Sequence, residues 1–190
     1  MLLTSTQCNR HGDLPHTATH EAGHATAAVL LDIEFSHVMI APSADTQAAI
    51  RMHGEAAAGG IVMLTDQPTE WVAPREVDAL TFLMAGSVAE TMLLGHHLAA
   101  GFRGDLWMFR VGTRRLAPMH RSEIGILNDG RARAHELLTE NVDAVRRVRD
   151  LLSSHVPRDD SGRFLVFDAP LIIPYHDVRD AVLSSDERTV

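Results

Sequence analysis

The sequence predicts an α+β fold, mostly helical with a small sheet. Apolar residues recur at helical spacing over several long segments, whereas only two or three short runs are rich in β-formers. The composition agrees: 45% apolar and 22% charged residues over 190 positions are enough for one hydrophobic core in one domain of ordinary size.

Taken in order, residues 1–13 read as a flexible start, 14–156 as the folded body and 157–190 as an extension of unassigned role. Asp13 or Thr17 is a candidate cap for a helix running to about Leu31, with Ala18, Ala22, Ala25, Ala28 and Val29 as its small apolar face. Ser36–Pro42 (SHVMIAP) reads as a strand closed by Pro42, and Gly59–Leu64 (GGIVML) as a second. The stretch Ser43–Gly60 between them is small, polar and rich in Gly and Ala, as a loop or weak strand is.

The strongest helix prediction spans Pro74 to Leu94. Pro74 suits a first turn, Val77, Leu80, Leu83, Met84, Val88 and Met92 recur at helical spacing, and Gly95 stops it. GHHLAAGFRG is a Gly-bounded loop, after which Asp105 opens a further helical stretch, DLWMFRVGTRRLA. Arg121–His155 is amphipathic and mostly helical, with Gly125 and Asn128–Gly130 as interruptions near its start. Leu137, Leu138, Val142, Val145, Val148, Leu151 and Leu152 form its stripe. PRDDSG is a turn, RFLVFDAPLIIP one or two short strands broken by Pro, and the last dozen residues fray.

Charge and cysteine usage exclude several classes. A net charge of −8 disfavours nonspecific nucleic-acid binding, which needs a basic surface to displace counterions. All 17 basic residues are Arg, a bias of codon usage rather than of chemistry. Cys8 stands alone, so no internal disulfide and no all-Cys zinc site can form. The apolar stretches fall short of the roughly 20 residues that cross a bilayer, and the first residues lack the charged and apolar regions of a signal peptide. A cytoplasmic protein without membrane contact is the expectation.

Chemistry concentrates in His20-Glu21-Ala22-Gly23-His24. Histidines four apart share one helix face, so both imidazoles can ligate one Zn²⁺. Glu21, after the first ligand, is placed to act as general base on a metal-activated water. A catalytic zinc usually takes a third protein ligand. Ala27 and Leu30 occupy the positions where a metzincin has Gly and His, which excludes that extension. Two downstream carboxylates remain: Glu90 in the second long helix, and Asp105, the better placed behind its Gly-rich loop.

HEAGHA (His20–Ala25) resembles the zinc motif of the FtsH-type ATP-dependent proteases, and the resemblance continues collinearly. SHVMIAP and GGIVML are similar to that family's two strands. LMAGSVAETMLLG (Leu83–Gly95) is similar to its LAGRAAEEIVFG helix, GFRGDLWMF (Gly101–Phe109) to GASNDLERA, and Ala132–Leu152 to its last long helix. The resemblance implies a zincin-like peptidase domain over residues 14–156, with zinc on His20, His24 and Asp105 and Glu21 as the base. It also implies a substrate that is a peptide or unfolded protein, and a ring-forming homo-oligomer.

This sequence departs from that family in three places. Arg103-Gly104 replaces Ser-Asn before the ligand Asp, and Thr91 replaces the second of two paired glutamates, leaving Glu90 with two readings: a group that orients a ligand from behind, or a solvated carboxylate on the helix surface. No GxxxxGK[ST] phosphate loop exists, and none can without Lys, so unfolding by ATP would fall to a separate unfoldase partner. The alternative function is a non-catalytic protein-binding or regulatory module on the same fold.

Smaller features take plainer readings. His96-His97 precede the Asp105 loop and are candidate substrate or oxyanion contacts, although adjacent loop histidines are more often only exposed. His120, His135, His155 and His176 lack ligand spacing. Arg103-Gly104-Asp105 matches an integrin-binding tripeptide by coincidence. Arg146, Arg147 and Arg149 with Asp143 and Asp150 read as a solvated, ion-paired face. By the resemblance, GGIVML is an edge strand able to pair with an extended peptide.

Overall fold

The computed structural model describes residues 14–40, 60–65, 76–98, 101–106, 108, 123–162 and 170–184. The predicted flexible start, with Asp13, lies outside them, as do most of Ser43–Gly60, Pro74, His120 and residues 163–169. Helix α1 (Leu14–Leu30) begins with Pro15 in its first turn, where a missing N–H removes no helical bond. Every residue from His16 to Ala28 is buried. Its end is a Schellman motif: Ile33 N–H reaches Ala28 O at 2.8 Å and Asp32 N–H reaches Val29 O at 3.3 Å. Asp32 takes the left-handed conformation there, φ 54°, one that Asp tolerates better than most side chains.

That turn feeds β1 (Phe35–Ile40), the centre of a three-stranded antiparallel sheet ordered β2-β1-β3, with β2 (Gly60–Leu64) and β3 (Leu171–Pro174) at its edges. Val38 pairs with Val62 on one side and Ile173 on the other, and all three are buried, so one apolar layer runs across the sheet. From His37 on, alternation turns Val38 and Ile40 inward and leaves His37 and Met39 half-buried; the register shift between Phe35 and His37 takes Ser36 out of that pattern and leaves it exposed.

Helix α2 (Glu76–Leu94) packs against α1 and against α3 (Glu123–Glu140); α4 (Val142–Ser154) covers another side of α1. α2 matches the predicted helix, but its Val77–Leu94 window reaches a mean hydropathy of 1.4 over 18 residues, a longer apolar stretch than the sequence reading expected. The same window is 67% buried, the condition of a core helix. Gly95, φ 83°, ends α2 as predicted.

Four expectations need correction. Gly125 and Asn128–Gly130 do not interrupt α3: Gly130 faces α2, where a Cβ would lie 3.1 Å from the Leu80 Cβ, so the glycine permits close packing. The break falls instead at Asn141, whose side-chain amide caps α3 by donating to Leu137 O at 2.8 Å. Of the last dozen residues, expected to fray, 185–190 lie outside the described residues, but α5 (Tyr175–Leu183) persists to Leu183 with Val178 and Val182 buried. Residues after Pro157, unassigned from sequence, thus supply an edge strand and a helix packed on α4 and α1. Arg147 ties them down, donating to Ala181 O at 2.8 Å and Val182 O at 3.2 Å rather than joining the solvated face. Arg146 and Arg149 do keep to that face, beside Asp143 and Asp150. Finally, Asp105 does not open a helix; the helical turn containing it begins four residues earlier, at residues 101–106.

Candidate metal centre

A spacing of four places His16, His20 and His24 in one row on α1. The facing row on α2 has the same spacing: Phe82, Gly86, Glu90. The two rows interlock. A Cβ on Gly86 would lie 2.5 Å from His24 Nε2 and 2.6 Å from His20 Nε2, so only glycine leaves room for both rings. Gly23 does the same for the backbones, since a Cβ there would come 2.6 Å from the Ala89 Cβ. The small residues around HExxH therefore serve the approach of α2.

Hydrogen bonds to α2 set the tautomers. His24 Nδ1 lies 2.7 Å from the Phe82 carbonyl oxygen, which can only accept, so Nδ1 carries the hydrogen. His20 Nδ1 donates to Glu90 Oε1 at 2.6 Å. In both neutral rings the lone pair is therefore on Nε2, and the two Nε2 atoms face each other at 3.0 Å. Asp105 brings its carboxylate to the same point, Oδ2 3.3 Å from His20 Nε2 and Oδ1 3.2 Å from His24 Nε2. Asp105 Oδ2 is buried and accepts no hydrogen bond. Convergent lone pairs repel unless a positive charge stands among them. His20, His24 and Asp105 thus form a buried group that could hold a metal ion.

The ionisation of the site follows the same field. Burial pushes the Asp105 carboxyl up, but the neighbouring His24 and His20 outweigh it and hold it well below the usual carboxylate range. Burial likewise acts against the His20 imidazolium, yet Asp105 and then Glu90 raise its pKa well above the ordinary histidine value. The centre therefore attracts cations strongly. Glu90 is held at about 2 against its own burial by hydrogen bonds from His16 and His20 and from Leu98 N–H. Glu21 differs: burial raises its carboxyl, and His20 and His24 offset this only in part. It is 5% exposed and packs against β2, where a Cβ on Gly60 would lie 2.6 Å from its Cγ. A small pocket opens over Glu21, His20, Thr17, Leu98 and Gly101.

The structure gathers His20, His24 and Asp105 at one point, with Glu21 buried at the edge of the same pocket. Of the two carboxylates left open by spacing, Asp105 faces the Nε2 atoms and Glu90 stands behind His20, 1% exposed, not on the solvated surface. With its side chain turned inward, Asp105 cannot display an Arg-Gly-Asp loop. His135, His155 and His176 are exposed. His16 was not singled out from sequence, although its position four residues before His20 is a readable signal. It is 1% exposed and donates to Glu90 Oε2 at 2.7 Å. Compared with known proteins, the sequence matches no family model and no curated protein.

Proposed function

We propose that this chain is a zinc-dependent metallopeptidase of the FtsH-type zincin class, hydrolysing peptide bonds of peptides or unfolded segments without ATP. The observation that carries the reading is the convergence of two imidazole Nε2 atoms and a carboxylate beside a buried glutamate. Zinc fits the spacing: Zn–N bonds of about 2.0–2.1 Å in tetrahedral geometry separate neighbouring donors by about 3.3 Å. The two Nε2 atoms lie 3.0 Å apart, and the Asp105 carboxylate sets one oxygen 3.3 Å from His20 Nε2 and the other 3.2 Å from His24 Nε2. Three protein donors also leave the fourth position open, the pattern of catalytic rather than structural zinc. When bound, zinc supplies a Lewis acid for the attacking water and the scissile carbonyl.

The chain's own residues provide the remainder. Glu21 takes the proton of the attacking water and passes it to the leaving amine; its burial makes it a stronger base than an exposed glutamate. Glu90 holds the His20 ring and the Phe82 carbonyl holds the His24 ring, so neither ligand has to be reoriented. Strand β2 pairs only with β1 among the described residues, and Gly60 at its start touches Glu21. An extended peptide adding to that edge would lie alongside the base, with main-chain bonds that tolerate many sequences.

The test is hydrolysis of an unstructured fluorogenic peptide by the zinc-loaded chain. Turnover should stop with chelator, return with zinc, and fall about 10²–10⁴-fold in Glu21→Gln, which retains the metal. A chain that holds zinc at His20, His24 and Asp105 yet cleaves no unstructured peptide would be a binding module on this fold instead.

A further inference from the structure

On the far side of Glu90 from His20 lies a second pair of imidazoles with the same pattern of bonding. His16 gives its Nδ1 hydrogen to Glu90 Oε2, so its lone pair is on Nε2, and that atom is buried with no hydrogen-bond partner. His96, in the turn after α2, sets Nδ1 3.2 Å from the Leu94 carbonyl oxygen, which only accepts. Its lone pair is therefore also on Nε2, again buried and unpartnered. The two rings adjoin, with centroids 4.8 Å apart and planes inclined at 60°. Two adjacent buried acceptors without a donor are unfavourable, since each forfeits its hydration and recovers nothing.

We propose that His16 and His96 form a second metal site that takes a borderline divalent ion such as Zn²⁺. Imidazole donors select Zn²⁺, Cu²⁺ or Ni²⁺ over the oxygen-seeking Mg²⁺ and Ca²⁺. Glu90 serves both centres: each carboxylate oxygen accepts the Nδ1 hydrogen of one ligand histidine, which orients the ring and strengthens its Nε2 as a donor. His16 also lines the small pocket shared by His20, Glu21 and Glu90. Two imidazoles leave the other coordination positions to water, so this ion is held more weakly than the first. The inference needs only the two imidazoles and stands apart from the peptidase reading.

The experiment is a zinc titration of the chelator-stripped full chain against a chromophoric competitor, with zinc per chain counted after gel filtration. Wild type should take about two zinc ions in two phases, and His96→Ala about one, with only the weaker phase lost. His24→Ala should lose the tighter phase instead. Circular dichroism checks each variant, and His96→Gln replaces any His96→Ala that does not fold. One zinc in wild type, unchanged in His96→Ala, overturns the second site while leaving the first. Two zinc ions in both would place the second ion elsewhere and overturn it equally. No zinc in wild type sinks both sites together.

Discussion

Helix α1 has two buried sides built on opposite principles. On one, Ala18, Ala22, Ala25 and Ala28 are fully buried in a core that includes Val145, Val148, Leu152 and Leu138. There stability grows with apolar area, at about 25 cal/mol per Å², and needs no ligand. On the other side, His16, His20 and His24 meet Glu90, Phe82 O and Asp105 at fixed distances. Burying such groups costs free energy unless each finds its partner, so this half depends on geometry, and His20, His24 and Asp105 in it could hold a metal ion. One half of the helix holds the fold, and the other uses that rigidity to hold charge.

The sharpest way to break the polar half alone is Gly86→Ala. Helix propensity by itself would make that change stabilising by roughly 0.5–1 kcal/mol. The new Cβ, however, would fall on both ligand nitrogens, and zinc affinity should drop more than about 100-fold. Zinc held by Gly86→Ala as tightly as by wild type, measured by competitive chelation, would contradict the ring placement.

Leu138→Ala attacks the opposite half. Leu138 is fully buried, and the cavity should lower stability by about 2–5 kcal/mol in denaturant unfolding. The loss should be the same with zinc and with chelator. A loss that vanished when zinc was added would mean that the two sides are not separable.

Glu90→Gln tests the shared support behind His16 and His20. An amide of the same shape keeps the packing but removes the charge, so zinc should bind about 10–100-fold more weakly. Thermal unfolding with excess zinc should then show a smaller rise in Tm than wild type. An unchanged affinity would make Glu90 a packing residue only.

The smallest expected effect belongs to Arg147→Ala, which frees the carbonyls of Ala181 and Val182 at the end of α5. Stability should fall by about 0.5–1.5 kcal/mol, with zinc binding untouched, as read by denaturant midpoint beside metal content. A change in zinc binding would tie the C-terminal segment to the site.

Much of this arrangement was legible in the sequence because it is local. Periodicity placed α1, both early strands and α2 to within a few residues, and a spacing of four put two histidines on one helix face. Glycines misled in α3: read as helix breakers, Gly125 and Gly130 sit inside it, because intimate packing on α2 rewards the missing side chain. Pattern reading also missed the role of His16. Its spacing of four from His20 marks the shared helix face, but not the Glu90 carboxylate that it meets there.

What the sequence by itself determined was the set of elements and the chemistry each face carries: HExxH on one helix, with Glu90 and Asp105 as candidate carboxylates. Only the tertiary structure decided how those faces meet. It set Asp105 against the Nε2 atoms and Glu90 against the Nδ1 atoms, across separations of 70 and 74 residues for the two Glu90 bonds. It also drew the segment after Pro157 into the sheet beside β1. Helical period tells which side of a helix is buried. Which other helix buries it depends on shape, and here the shape is the groove at Gly86 that admits two imidazoles.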